Sequence, residues 1–521
     1  MFNNTKDLLN DAFNNIKQKN FINANKIFKK GLKYFPNNLD LLNHYFFFLY
    51  KIKDFKKALT IINKIIFIDN KSAVSFSNRS IIYLKMDEYQ NALNDIDHCI
   101  FLNSKEDEYY NSKSIILNKM RNYKEALECL EKAIKLSPGK EIYYYNKGNT
   151  LSRLGFYQKA IAEYKNAIAI NINHYKSYYG LGVANEELNQ QKEAMPYYET
   201  AIKIKQDYYP ALMAKSRLLI RNGDFDQGWK LYEYRWAQED KLSLPPGHNA
   251  PLWIGNQNLE NKTILLQFEQ GLGDTIQFCR YVVLFKQFSC KVILRVQKPL
   301  FGLMQASFYD DFIQVISEEK NIPQHDFYCP LMSLPLAFKT TTQTIPNRIP
   351  YLFTDRNTQQ KWSKIFGEKK KIRIGLAWRG NPNHKNDLKR SFALEDVIDV
   401  LSDKFDWVSL QNNLKENEIQ ILNNNKFFLE YRDKINDFLD LAAICELVDK
   451  IITVDTSVLH LSGSLGKKTK LILPYYPDFR WMNDDFKSSW YPEVRIYKHD
   501  VDSSWKKILL KIQDDLIIDK K

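Results

Sequence analysis

Cysteine is scarce in this chain: 521 residues contain six, Cys99, Cys129, Cys279, Cys290, Cys329 and Cys445, and no two stand in a C-x-x-C pair. Neither a disulfide framework nor a zinc ribbon is legible from such spacing, and the six read as small buried apolar residues. Long apolar runs are also missing. The longest, Tyr45 to Tyr50, is closed by Lys51 and falls far short of the ~20 residues that cross a bilayer, so no transmembrane segment is expected. The opening MFNNTKDLLNDAF has no basic stretch leading into an apolar one, which predicts no secretory leader and a cytoplasmic location.

What is present suits folding in water. Hydrophobic residues make up 44% and charged residues 26%, with a mean hydropathy of -0.45, and the length allows about three globular units or one domain plus an array. The formal charge is +14, enough to attract anionic partners. The excess reads as lysine spread through an Asn- and Ile-heavy sequence. No nucleic-acid recognition signature accompanies it, so no nucleic-acid partner is expected.

The first half repeats itself. Ala24, Ala58, Ala92, Ala126, Ala160 and Ala194 are 34 apart, with Gly228 at the next step. Four residues after each comes a bulky side chain: Phe28, Ile62, Ile96, Leu130, Tyr164, Tyr198 and Tyr232. Twelve before each lies a mostly small one, Ala12, Phe46, Ser80, Ser114, Gly148, Gly182 and Ser216, as needed where paired antiparallel helices approach closely. Each unit is a helical hairpin, and a lone hairpin cannot bury its apolar face, so about seven must stack into an α-solenoid. The pattern resembles the tetratricopeptide repeat over residues 1–237. That resemblance implies a groove that binds a partner protein. Tyr109 with Tyr110, Tyr143 to Tyr145, and Tyr178 with Tyr179 recur near repeat starts; one of each set is expected to pack inside and another to line the groove.

Residues 238–262, rich in Pro, Gly and Asn, read as a linker. Beyond them short β-branched runs alternate with amphipathic stretches, which predicts a parallel sheet with crossover helices. Strands are expected at Thr263 to Phe268, Lys291 to Val296 and Phe312 to Ile316, and in a second series at Ile372 to Trp378, Trp407 to Leu410, Lys450 to Val454 and Lys470 to Leu473. The Pro-containing stretch Lys339 to Lys370 suits a hinge between two Rossmann-like lobes, 263–350 and 351–521. Ligands of such folds collect at the carboxyl ends of strands.

In the first lobe, Glu269-Gln-Gly271-Leu-Gly273-Asp274 follows the first strand. The glycines permit a tight turn with close backbone approach to a ligand, and Asp274 stands at the helix start. Ile276 occupies the place of a third small residue, which disfavours a dinucleotide site. In the second lobe Val454-Asp455-Thr456-Ser457-Val458-Leu459-His460 leaves a strand and opens a helix. Its free N–H groups, its dipole and the Thr456 and Ser457 hydroxyls form a candidate diphosphate cradle, with His460 one turn on as a candidate donor to a phosphate oxygen. The alternative is that Thr456 or Ser457 is only an N-cap and His460 a satisfied core residue. Gly463 to Thr469 is no P-loop, because its glycines stand too close together. After Trp378, Arg379 to Ser391 supplies several cations to the same rim.

From about Leu252 to Leu509 these blocks, with Phe327 to Phe338 and Pro474 to Trp481 (PYYPDFRW), resemble the glycosyltransferase family 9 domain, related to the bacterial heptosyltransferases. The resemblance implies a GT-B fold and metal-independent transfer of a sugar from a nucleotide-diphosphate donor to a protein or glycan acceptor, with no cofactor and no metal. It implies that Asp274 is the general base. It further implies that Gly271 and Gly273, the segment Asp455, Thr456, Ser457 and His460, Arg379 and one of Lys385, Lys389 and Arg390 serve the donor. Gln411 falls where it would reach nucleobase or ribose. Ser457 stands where the heptosyltransferases usually carry Gly, and the loop cation does not align uniquely. The other reading is a non-catalytic adaptor whose carboxyl half keeps the shape without turnover.

Overall fold

The computed structural model describes residues 5–238, 241–242, 250–381, 387–483, 486–499 and 504–518. The chain divides into two compact units, Met1–Lys205 and Gln206–Lys521.

The first unit is a row of helical hairpins, each a 13-residue helix followed by a 14-residue one, from Thr5–Lys17 with Phe21–Tyr34 through to Tyr175–Glu187 with Gln191–Ile204. The 34-residue series explains the packing. Every alanine from Ala24 to Ala194 is fully buried, as are the bulky residues four positions on. The small residues meet those bulky ones: a Cβ at Gly148 would lie 2.6 Å from the Tyr164 ring, and one at Gly182 2.3 Å from the Tyr198 ring. At Ser80 the hydroxyl instead reaches across the hairpin and donates to the Ala92 carbonyl at 2.8 Å. The turn inside each hairpin puts one residue in the left-handed region, at Lys19, Lys53, Asp87, Arg121, Gly155 and Asn189, again 34 apart. Gly155 takes that conformation at no cost and Asp87 and Asn189 cheaply; Lys19, Lys53 and Arg121 do not. Of the tyrosines, Tyr109 and Tyr143 are buried whereas Tyr110, Tyr144, Tyr145, Tyr178 and Tyr179 are partly exposed. Tyr143 donates to buried Asp107 at 2.6 Å. Burial works against that carboxylate's charge, but hydrogen bonds from Lys140, Tyr143 and Ser137 outweigh it and hold Asp107 well below the usual range.

The seventh hairpin, α1 (Tyr209–Arg221) and α2 (Phe225–Tyr232), opens the second unit instead of closing the first. Its Trp229 packs edge-on against Phe278 and Phe479, and its Phe225 stacks on Trp490. The repeat register therefore runs on past the point where the compact unit ends. The segment expected as a linker also contributes to this unit's core: Trp253 and Leu259 are fully buried, and Trp253 lies among Phe285, Phe288 and Phe338.

Two parallel sheets follow. The first joins β1 (Thr263–Gln267), β2 (Lys291–Val296), β3 (Ile313–Ser317) and β4 (Phe327–Pro330) in the order β3-β2-β1-β4. The second joins β5 (Ile372–Ala377), β6 (Phe405–Ser409), β7 (Phe428–Leu429), β8 (Lys450–Val454), β9 (Thr469–Leu473) and β10 (Val494–Lys498) in the order β10-β9-β8-β5-β6-β7. β4, β7 and β10 lie outside the seven strands expected from hydrophobic runs. β4 carries a cysteine and a proline, and β7 is two residues long, so neither offers a β-branched run to read. One face of the second sheet is closed by Trp505–Ile518 through Ile508, Leu509, Ile512 and Leu516.

The two sheet lobes meet at α3 (Leu272–Phe278), which leaves β1, and α4 (Ser457–Ser464), which leaves β8. A buried cation ties them further. Arg280 donates to the carbonyls of Gln277 and Trp490 at 2.8 Å and to the Tyr351 hydroxyl at 3.1 Å. Its guanidinium lies over the rings of Tyr351, Trp490 and Tyr491. Among the described residues no carboxylate pairs with it, so carbonyl dipoles and aromatic faces carry the whole cost of burying this charge.

Candidate active site

Gly271 caps α3, and Asp274 sits at the third helical position, where its Oδ2 accepts the Gly271 N–H at 2.9 Å. Asp274 thus reaches back to the N–H of the cap residue and does not itself occupy the N-cap. Its other oxygen is taken by an ion pair with Arg480, which also donates to Asp478 at 2.7 Å. Burial opposes the charge on Arg480, but Asp478 and Asp274 outweigh it and keep the guanidinium protonated.

Neither glycine before Asp274 needs a positive φ, since the left-handed residue of this turn is Gln270. Gly273 is required by close packing instead. A Cβ there would lie 2.7 Å from Cδ2 of His460 and 3.5 Å from the Cα of Ser457. The close approach expected toward a ligand is therefore an approach of one helix tip to another, and it brings the Asp274 turn and the Thr456-Ser457 turn together.

His460 differs from its expected role. It is buried, its Nδ1 is hydrogen-bonded to the Tyr491 hydroxyl at 2.9 Å, and its ring stacks on Trp481 with centroids 5.7 Å apart. Burial, reinforced by Arg480 and Arg280, pushes its pKa down to about 3. At neutral pH it is an uncharged ring wedged under Gly273, not a cation facing a phosphate. Thr456 is the N-cap residue of α4 but makes no side-chain cap bond; its Oγ1 lies 3.4 Å from that of Thr453. Among the described residues no side chain caps the first-turn N–H groups of α4. Asp455 points back into the protein and accepts the Trp481 indole N–H at 2.9 Å. Burial and neighbouring Asp478 push its carboxyl up, while Asp478 is held down by Arg480 against its own burial.

The cation loop is rearranged relative to the expectation too. Arg379 is not free to meet a phosphate, because its guanidinium forms a two-point pair with buried Glu418 at 3.0 and 2.9 Å. Its backbone N–H donates to Oε1 of Gln411 at 3.2 Å, which fixes Gln411 beside β6. Arg390 reaches across to the α4 tip and donates to the Asp455 carbonyl at 2.6 Å. Lys385 lies outside the described residues. Lys389 falls in the short helix Asp387–Arg390, and its side chain is likewise outside the description. A pocket of about 140 Å³ opens near Gln411, lined by Pro299, Asn412, Arg432 and Asp437 among others. Asp274 and His460 are not among its walls.

Sequence reasoning missed Arg480, Asp478, Trp481 and Tyr491. Arg480 stands 206 positions from Asp274, so spacing gives no hint of the pair. The signal lay in PYYPDFRW itself, where an acid and an arginine flank an aromatic residue. Also missed was Glu269 at the end of β1, buried and gripped by Arg235 from the end of the α2 hairpin at 2.8 and 2.9 Å.

The tetratricopeptide repeat family matches residues 107–140 and 145–209, and the helical hairpins of the amino-terminal region are tetratricopeptide repeats. Protein FlbA of Caulobacter vibrioides is 24% identical over 303 residues, which is 51% of this chain and 50% of FlbA; the chain thus matches about half the length of that relative. Among solved structures, YrrB, described as a tetratricopeptide repeat protein with an unusual peptide-binding site, is 19% identical over 36% of this chain and 97% of its own, with a TM-score of 0.29. A tetratricopeptide repeat protein from Parabacteroides merdae is 14% identical over 43% of this chain and 90% of its own, with a TM-score of 0.39.

Proposed function

We propose that the second unit is a GT-B glycosyltransferase of the family 9 type, which moves a sugar from a nucleotide-diphosphate donor to an acceptor hydroxyl, and that the repeats bind the acceptor or a partner protein. One observation carries this reading: two helix tips, each at the carboxyl end of a parallel strand and each from a different sheet, close on one another at Gly273 and His460, with Asp274 on one and uncapped N–H groups on the other. Such a junction lies where open α/β folds hold ligands. Asp274 would take the acceptor proton. The α4 tip, the Ser457 hydroxyl and Arg390 would stabilise the departing diphosphate. His460 serves as a neutral spacer that sets the distance between the tips. Arg480 must leave Asp274 before that carboxylate can act, since a paired carboxylate is a poor base.

A second reading is favoured by that same ion pair: with Arg480 on Asp274 and Glu418 on Arg379, the domain would be a scaffold behind a protein-binding array. Mass spectrometry of the products formed from mixed nucleotide-sugars and cell lysate separates the two. The enzyme reading expects a mass gain equal to one sugar residue, reduced by roughly 10² to 10⁴ in Asp274→Asn at a temperature where circular dichroism shows that variant still folded, since it also loses the ion pair with Arg480. No transfer by the intact chain, or full activity in Asp274→Asn, would overturn it.

A further inference from the structure

The positive charge is not spread evenly. Residues 5–85 hold fifteen Lys and Arg against five Asp and Glu, whereas residues 86–205 hold sixteen of each. Most of the +14 therefore sits on the first hairpins. Its densest part is the second helix of each of the first two, Phe21–Tyr34 and Phe55–Ile68, which carry Lys26, Lys29, Lys30, Lys33, Lys56, Lys57 and Lys64 and no acidic residue.

These lysines share a surface. Ala24, Phe28 and Gly31 on one helix, and Ala58, Ile62 and Ile65 on the other, are buried. Ile22, Lys26, Lys29, Lys30 and Lys33 follow at helical spacing on the opposite side and are exposed, as are Lys56, Lys57 and Phe67. The 34-residue register sets Lys30 beside Lys64, Lys33 beside Phe67, and Phe67 beside Phe101 of the next hairpin. Phe67 and Phe101 are 88% and 84% exposed and Ile22 75%; Ile22 and Phe67 stand in solvent on the lysine-bearing helices themselves, and Phe101 on the next helix, Tyr89–Leu102, which carries no Lys or Arg.

The geometry points to an anionic lipid surface as the partner of this outer face. Seven compact ammonium groups, of which Lys57 is already paired with the N-cap Asp54, and no arginine suit a diffuse field of lipid phosphates better than a fixed carboxylate pattern, for which the guanidinium fork is preferred. The phenylalanines and Ile22 decide between lipid and nucleic acid. A headgroup region offers an acyl boundary into which they can sink, whereas a phosphodiester backbone leaves them in water. No described helix is long and apolar enough to cross a membrane, so the contact is peripheral.

The test is co-sedimentation of the full chain with phosphatidylcholine vesicles, with and without phosphatidylserine. Expected are at least about tenfold stronger partitioning onto the phosphatidylserine vesicles, its loss at high salt, and a drop of about tenfold or more in the quadruple variant K26Q/K29Q/K30Q/K33Q. All four positions are exposed, and an unchanged helical circular dichroism melt shows that the variant folds. A paired F67S/F101S variant should also lose binding. Equal partitioning onto both vesicle types, undiminished binding in either variant, or duplex DNA that displaces the protein from vesicles while F67S/F101S binds that DNA as the parent does would overturn the proposal.

Discussion

The contact between the two helix tips can be probed by a substitution of one methyl group. In Gly273→Ala the new Cβ would lie 2.7 Å from Cδ2 of His460, closer than carbon atoms tolerate. The imidazole has no easy retreat, since Tyr491 holds its Nδ1 and Trp481 covers its face, and the α4 backbone stands behind it at Ser457. Overpacking of this kind costs about 1–3 kcal/mol. Removing the ring in His460→Ala should relieve it, so a double-mutant cycle should show a favourable coupling of about 1–2 kcal/mol between the two substitutions. All nine tryptophans lie beyond residue 228, so urea unfolding followed by tryptophan fluorescence reads the second unit alone. A Gly273→Ala protein as stable as the parent, or additive costs in the double variant, would refute the idea that the tips are in tight contact.

Other expectations follow from the same contacts. His460, with its pKa near 3 in the fold against an ordinary 6.5, binds its proton more readily when unfolded, so it contributes stability that is lost as pH falls from about 6.5 toward 3. The loss should approach about 1.4 kcal/mol per pH unit, and His460→Gln should flatten it in urea melts at successive pH values. Arg280→Met strips three buried oxygens, those of Gln277, Trp490 and Tyr351, of their donor and should cost roughly 3 kcal/mol by the fluorescence assay; an unchanged midpoint would mean the cation is dispensable. In the repeats, Gly182→Ala drives a methyl to 2.3 Å from the Tyr198 ring and should cost about 1–3 kcal/mol, read as a lower melting point by far-ultraviolet circular dichroism.

The repeats were legible because their packing is local: a small residue, a bulky one four later and a close partner twelve earlier recur in one register, and all three series are buried. The turn residues were not, because Lys19, Lys53 and Arg121 adopt the left-handed conformation although nothing in their chemistry favours it. The end of the first compact unit was hidden as well, since the seventh hairpin keeps the 34-residue phase while Trp229 and Phe225 pack into another core. In the α/β unit the strand-to-helix turns at Asp274 and Thr456 could be found from their glycines and hydroxyls. Their partners could not. Glu418 lies 39 residues from Arg379 and Arg480 lies 206 from Asp274, and nothing short of the folded chain shows which cations are already neutralised. The Lys-only helices carry the opposite lesson, because their charge was visible in composition but only the burial pattern shows that it shares one face.

If the α4 tip, with Arg390 and Ser457, holds a nucleoside diphosphate, that binding is open to direct measurement. Calorimetric titration of the intact chain with a panel of nucleoside diphosphates measures it most directly. Saturable one-site binding to at least one of the panel is expected, weakened about tenfold or more in Arg390→Ala, which removes one charge-assisted contact. Absence of heat across the whole panel, or binding that Arg390→Ala leaves intact, would contradict it.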